Sequence, residues 1–426
     1  MFYHQVRESG EKKGSSMKLN PRLFKDHVNG KFMLQGLRAE IGKRFVHDRD
    51  FKLFLIVGLC AGIASGINST TFNNFLSDTY KLSAESRGIV EFPRELPGVF
   101  IMVVLGLLSF LGDIRLAVVG MLAASLGMLG LSLFSPTFAS MLVWMMMFSL
   151  GTHIFMPLAP GIGMALSEQE QYGMRLGRFN AYNLAATILG YAIVWVGFKY
   201  LGLTYQWAFV IAAFFYILAA VFLEMMKSRK PAPKKVKFVF RKQYILFYIL
   251  SVVNGARKQI FLTFAPWVLI KVFQVTPPVF AILGVIIATV SILTRTMVGN
   301  AIDKLGERFV LSTEAVVLIA ICMGYAFAAD LVPPSIAAVI IAACYIIDNS
   351  MNAVEMARST YVKKIAIDPD DLVPTLSAGT SLDHIVAMTI PFFGGLLWVN
   401  MGYQYVFLAA TGIAVINLIL SRRIKT

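Results

Sequence analysis

The stretch GNAIDKLGER (Gly299–Arg308) separates two apolar runs, Val279–Val298 and Phe309–Ala329. Each run approaches the ~20 residues that a hydrocarbon core of ~30 Å demands. Two membrane-length helices therefore meet in a short turn that carries Asp303, Lys304, Glu307 and Arg308. Gly306 permits the positive φ of a tight reversal, and Gly299 lets two helix ends approach closely. Asp303 can accept from backbone N–H groups or pair with a base on a neighbouring helix.

The rest of the chain has the same texture. Apolar residues make up 57% of the 426 and charged residues 15%, with a mean hydropathy of +0.68. Soluble domains are about a quarter charged, so this is an integral membrane protein of many spans. The net charge of +15 sits in loops and tails, which the positive-inside rule explains without nucleic acid as partner. Cys60, Cys322 and Cys344 lie inside apolar runs, which speaks against a disulfide framework or a zinc site. Roughly the first fifty residues are polar and hold no signal-peptide core.

Residues 1–52 form a basic tail, within which Lys31–Val46 has the pattern of a surface helix. A first bundle spans residues 53–226, with apolar runs at Leu53–Leu76, Gly88–Leu111, Leu116–Phe134, Ala139–Leu166, Phe179–Leu201 and Gln206–Met226. Gly58, Gly62 and Gly66 recur every fourth residue in the first run and offer a face on which another helix packs closely. The linker 227–243 is basic. A second bundle, 244–420, has runs at Tyr244–Phe273, Pro278–Val298, Phe309–Ala329, Ser335–Val362, Thr375–Val399 and Tyr403–Leu420, before a short tail, 421–426.

Basic residues concentrate on one side: Arg115, Arg175, Arg178, the linker, Lys304, Arg308, Lys363, Lys364 and Arg422–Lys425. The other loops hold little more than Lys81, Arg87, Lys199 and Lys271. This asymmetry places both termini in the cytoplasm of a multi-pass cell-membrane protein. The two sets of spans also repeat. LGDIRLAVVG (Leu111–Gly120) follows the second span as GNAIDKLGER follows the eighth, and RLGRFNAYN (Arg175–Asn183) opens the fifth as TLSAGTSLD (Thr375–Asp383) opens the eleventh. Asn183 falls opposite Asp383. One six-helix unit has been duplicated, with a site expected between the copies.

On these residues the chain resembles the major facilitator superfamily over nearly its whole length after the tail. The hallmark G-x-x-x-D-[RK]-x-G-x-[RK] is filled by Gly299, Asp303, Lys304, Gly306 and Arg308. The earlier copy keeps Asp113, has Arg115 one place late, and has Ser109 and Leu116 where glycines are expected. The resemblance implies an all-α membrane fold of about twelve helices in two pseudo-symmetric six-helix bundles around a central cavity. It also implies that both loops, Asp113 and Arg115 included, act in the conformational cycle as gating elements. No substrate class follows from the matching residues.

Ionisable groups inside spans cost a few kcal/mol each on insertion scales and face a bundle interior or a wet cavity. His153 lies about halfway along the fourth span, Arg257 and Lys258 along the seventh, Asp348 along the tenth and Asn68 along the first; these, with Asn183, are the candidate solute contacts. The resemblance places the first, fourth, seventh and tenth helices around the cavity. Adjacent helical residues point ~100° apart, so one of Arg257 and Lys258, and one of Asp383 and His384, faces the cavity squarely. Arg257 can grip a carboxylate or phosphate with two hydrogen bonds; alternatively it pairs with Asp348 or Asp383 as a bridge across the halves. Asp383 and His384 are candidate proton carriers.

Glu91, Arg94 and Glu95 stack at i,i+3 and i,i+4 spacing near the outer end of the second span, beside Pro93 and Pro97. They read as proton-accepting acids (Glu91, Glu95) and a gating base (Arg94), or as a helix-end network at the headgroups. Glu355 and Arg358 read as a local bridge or a latch to the motif loop. The 21 methionines are pliant filler, and no two His or Cys stand one turn apart as a metal site favours.

The function expected is secondary active transport of a small polar or anionic organic solute by alternating access, coupled to protons, in a monomer within the lipid bilayer. Efflux of amphipathic drugs is the alternative within transport, and predicts an apolar cavity with Arg257 engaged by an acid. A non-transporting membrane sensor that kept the fold is the alternative outside it. An enzyme is not expected, since the sequence has no phosphate-cradling loop and no nucleophile–base pair, and no resident cofactor is called for.

Overall fold

The structure is a computed structural model in which residues 30–166, 172–227, 241–368 and 371–424 are described. Residues up to Arg49 form one compact unit and Asp50–Thr426 another; the architecture below is that of the second. The expected surface helix at Lys31–Val46 is helical in backbone, but its side chains lie outside the described residues, as do most of the basic linker and the last two residues.

The first six helices are α1 (Gly30–Tyr80), α2 (Ala84–Leu107), α3 (Asp113–Leu133), α4 (Phe138–Ala165), α5 (Tyr172–Tyr200) and α6 (Tyr205–Glu224). The second set comprises α7 (Ile245–Lys271), α8 (Pro277–Leu331), α9 (Pro334–Ser350), α10 (Glu355–Ile365), α11 (Leu372–Met401) and α12 (Tyr403–Ser421). Two departures from helix-per-span restore the count of twelve crossings. α8 breaks at Gly306 (φ 79°, ψ 167°), so limbs 277–305 and 307–331 are separate spans. α9 and α10 join through a 3-10 turn at Met351–Val354 into the tenth span. Among the described residues, ten helices are long and apolar enough to cross a membrane. α2 is absent from that set because each membrane-length stretch of it carries more than two charged residues, yet it lies packed between α4 and α11.

Local chemistry sets the ends. Thr137 and Ser140 form a capping box at the start of α4, and Ser83 and Thr204 cap α2 and α6. The Gly58–Gly66 stripe packs on α5: a Cβ on Gly62 would stand 2.3 Å from the Asn183 carbonyl oxygen, and one on Gly66 2.4 Å from that of Thr187. Backbones in direct contact gain dispersion energy where lipid gives no hydrophobic driving force.

The two motif loops share one backbone device. Gly112 (φ 79°, ψ 158°) precedes Asp113 at the start of α3, as Gly306 precedes Glu307 at the start of the limb 307–331. In both, a glycine in a region closed to other residues is followed by an acid in the positive first turn of a helix. Sequence matching pairs Asp113 with Asp303; the backbone pairs it with Glu307. Gly299 was expected to mediate a close approach, but a Cβ there would meet open space.

The halves touch at the end of the bundle away from these loops. A Cβ on Gly88 of α2 would lie 2.1 Å from the Pro391 oxygen of α11, and one on Gly395 of α11 2.6 Å from the Ala84 oxygen of α2. The Asn74 amide donates to the Val275 carbonyl at 2.8 Å. At the motif face the corresponding ends are apart: Cβ atoms on Gly106, Gly177 and Gly299 would touch nothing within 4 Å. Phe100, Val103 and Leu107 on α2 are exposed there. The contacts between the halves named here thus lie toward the far face.

Gly306→Ala should lower the melting temperature of the purified protein by several degrees, since the required φ,ψ region costs a non-glycine residue on the order of 1–3 kcal/mol. Gly299→Ala, in open helical backbone, should leave it unchanged or raise it. Equal effects in the two variants would refute this placement of the break.

Candidate functional site

Placing α2 between the halves turns its charges into the centre of the site. Glu91 is fully buried. It accepts from the Arg87 guanidinium, from Arg94 Nε at 2.6 Å and, across the halves, from Gln259 Nε2 of α7 at 2.6 Å. Arg87 also donates to Asn73 Oδ1 of α1 at 3.0 Å and lies over the Trp267 ring. Arg87 was expected in an outer loop. It sits instead in the first turn of α2, which begins at Ala84, and is 2% exposed.

One residue beyond Arg94, Glu95 makes a second tie across the halves. Its Oε1 pairs with Arg94 at 2.9 Å, and its Oε2 lies 3.0 Å from His384 Nδ1 of α11. His153 of α4 stacks edge-on against His384, with ring centroids 5.2 Å apart. His153 Nδ1 lies 2.9 Å from the Ser149 carbonyl oxygen. A carbonyl can only accept, so Nδ1 is the donor, and in the neutral ring Nε2 keeps its lone pair. Ser149 Oγ donates in turn to the Arg94 carbonyl. The expectation of a helix-end headgroup network is corrected: these residues bond to α4, α7 and α11 in the interior.

The second pair of charges lies on α7. Arg257 is 4% exposed and donates to Asp348 Oδ1 of α9 at 2.7 Å and to Asn254 Oδ1 at 3.3 Å, leaving its Nε without a partner. This bridge joins two helices of the second half, so a bridge across the halves by Arg257 does not form. Lys258 Nζ meets Asp383 Oδ2 at 2.6 Å. The absence of a side chain on Gly255 admits that carboxylate, since a Cβ would come 2.5 Å from Asp383 Oδ1. Asp383 therefore turns to α7 and His384 to α2, as the ~100° step between neighbours requires.

Two cavities border these groups. One of about 230 Å³ is enclosed by α1, α2, α7 and α9, with Asn68, Arg87, Arg94, Phe261 and Asp348 in its wall. Asn68 Oδ1 is buried without a partner, while Arg94 is 31% exposed in its side chain. A larger one, about 440 Å³, lies nearer the motif face within the second half, with Asn254, Lys258, Glu314, Arg358 and Asp383 in its wall. Asn183, expected at the solute, donates instead to the Gly58 carbonyl at 2.9 Å and holds α5 on α1.

Toward the motif face, Arg358 of α10 binds Glu314 at 2.7 Å and Glu355 at 3.1 Å. Lys364 binds Glu307 of the motif loop at 2.8 Å. The expected local bridge at Glu355–Arg358 is present, and the tenth span is also tied to the motif stretch. Asp303, Lys304 and Arg308 are exposed at this face, as is Arg115; Asp113 is partly buried.

The sequence profile of the Major Facilitator Superfamily matches residues 54–367. The chain belongs to that superfamily of membrane transporters. Its fold is similar to that of a nucleoside transporter, NupG, at 14% identity and a TM-score of 0.74, over 88% of this chain and 100% of the other. It is also similar to a peptide transporter, POT, in complex with sulfate (14%, 0.68, 90% and 98%). A D-xylose–proton symporter superimposes as well (12%, 0.64, 89% and 98%). At such identities the likeness is one of fold. No curated protein matches the chain in sequence.

Removing one member of a buried ion pair strands the other, at a cost of about 3–5 kcal/mol, whereas replacing both is far milder. Arg257→Met should therefore depress thermal stability strongly, and Arg257→Met with Asp348→Leu should restore most of the loss. A double variant no more stable than the single would show that the two groups do not depend on each other.

Proposed function

We propose that the protein is a secondary active transporter of a small polar organic solute, working by alternating access and coupled to protons. The Glu95–His384 contact carries this reading. A carboxylate and an imidazole from opposite halves share a hydrogen bond at 3.0 Å, beside the closed end of the central cavity. Protonating Glu95 neutralises the acceptor that holds α11, which loosens the halves where they touch. Deprotonation restores the tie. A proton acting at this place is thereby linked to the opening of the far face.

With the basic loops taken as cytoplasmic, the conformation described is inward-facing. In that reading Lys364–Glu307 and Arg358–Glu314 order the tenth span against the motif loop, while Asp113, Arg115, Asp303, Lys304 and Arg308 re-engage when the cytoplasmic face closes.

The 230 Å³ cavity supplies solute contacts of both signs. Asn68 Oδ1 offers an unused acceptor and the exposed edge of Arg94 a charged donor, with Phe261 as an apolar wall. Arg257 positions Asp348 rather than gripping the solute. Drug efflux predicts an Arg257 engaged by an acid, and that much is met. Its other requirement, an apolar cavity, is not met beside these charges, where the walls carry arginine, asparagine and aspartate or lysine, glutamate and aspartate; an apolar cavity of about 540 Å³ lies elsewhere, among Ile63, Leu189 and Ile211 of the first half.

Proteoliposomes loaded with a candidate solute, drawn from nucleoside, sugar and peptide classes, should accumulate label under an inward-directed proton gradient. Glu95→Gln and His384→Gln should abolish gradient-driven accumulation while retaining solute counterflow. Accumulation that persists in both variants removes the pair from coupling; counterflow of no solute class by the wild type removes the transport reading itself.

A further inference from the structure

We propose that Glu95, His153 and His384 form a binding site for a divalent transition metal of the zinc class, and that the bound ion fastens the two halves together. One ligand atom from each of these residues lies within 4.8 Å of the others. A His2Glu set with a position left open is a donor combination that zinc favours, and imidazole nitrogen with carboxylate oxygen suits borderline cations better than calcium or magnesium.

Three further observations single this cluster out. The first is the tautomer: His153 Nδ1 donates to the Ser149 carbonyl, so in the neutral ring Nε2 presents its lone pair, the backing that metal-bound histidines receive. The second is space. Gly98 lies one turn along α2 from Glu95, and a Cβ there would stand 2.7 Å from His153 Nε2 and 2.9 Å from His384 Nδ1. Both ring nitrogens thus face one small volume that exists because residue 98 is a glycine. The third is orientation: Arg94 holds the other Glu95 oxygen, which leaves Oε2 turned toward His384. A metal displaces the proton shared by Glu95 and His384 and takes its place between them.

Ligand atoms around a tetrahedral zinc stand about 3.3 Å apart, given bonds of about 2.0–2.1 Å. Closing from 4.8 Å asks for movements of about an ångström, within reach of side-chain rotation. Because α2 and α4 belong to one half and α11 to the other, occupancy fixes the closed far face. Metal is then a lock on the conformational cycle, and the site exists whether or not protons drive transport.

The test uses the full chain without a polyhistidine tag, in detergent micelles, titrated with Zn2+ by calorimetry and with Co2+ by visible absorption. Wild type should bind one equivalent, show the d–d bands of nitrogen-coordinated Co2+, and gain several degrees of melting temperature with Zn2+. His153→Gln and His384→Gln should each weaken binding at least about 10–100-fold, the loss that outer-shell changes alone produce. Gly98→Ala keeps every ligand, fills their shared space and should also abolish binding. Metal-free melting curves identify any variant that has failed to fold. Absence of stoichiometric binding by wild type, or unchanged binding in folded variants of both histidines, overturns the site. Zn2+ binding without transport of any solute leaves the site standing and removes the transport reading; transport without Zn2+ binding does the reverse.

Discussion

The structure depends on one constraint: each charge carried into the membrane interior has to find a partner there. An ionised side chain at the centre of a span costs a few kcal/mol on insertion scales, and α2 carries Arg87, Glu91, Arg94 and Glu95 within three turns. Arg87 and Arg94 converge on Glu91 and Arg94 also pairs with Glu95, so two cations and two acids balance on the one helix. What remains is a set of unfilled acceptors, the outer lone pairs of Glu91 and Glu95. Gln259 and His384 fill them from the other half. The polar contact that α2 makes with the other half is thus a consequence of charge satisfaction on one helix.

The same constraint divides the ion pairs by what they can do. Arg257–Asp348, Arg358–Glu314 and Lys258–Asp383 join helices of one half. They move with that half and need not break during a rocking motion of one bundle against the other. Glu95–His384 and Glu91–Gln259 lie on the surface where the bundles meet, so they must break whenever the far face opens. Only contacts of this second kind can couple an occupancy, whether proton, metal or solute, to the opening itself.

Much of this was legible in the sequence. Hydropathy, the two motif loops and the duplicated order give the twelve spans, and the Gly58–Gly66 stripe foretells a close helix contact that α5 makes. His153, Asp348, Arg257 and Glu95 stand out because ionisable residues are rare in apolar runs. The Arg257–Asp348 pair was among the alternatives read from the sequence and forms; the meeting of Glu95, His153 and His384 was not legible. His153 and His384 lie 231 positions apart (384 − 153) on different helices, and a search for metal ligands one turn apart cannot see them. Arg87 and Gln259 escaped notice for opposite reasons: one lies so near a helix start that hydropathy assigns it to a loop, the other is an uncharged residue beside two cations. Asn183 misled because repeat symmetry equates positions and not environments; its counterpart Asp383 faces α7, while Asn183 is spent on a carbonyl of α1.

The motif loops show how backbone geometry revises a sequence match. Gly299, Asp303 and Gly306 fit the family pattern in GNAIDKLGER, and the earlier loop looks degenerate beside it. Measured by conformation, the two loops are close to equal: each has one glycine near φ 79°, ψ 160° and an acid directly after it. A helix N-terminus attracts the acid and the turn demands the glycine, so these two positions are tied together by physics even where the surrounding letters drift. In the open motif face Asp303 projects outward while Glu307 is buried against Lys364. The acid that already has a partner fixes the loop to its own bundle. Asp303 has no such partner among the described residues, so the two acids of one short loop stand in different environments.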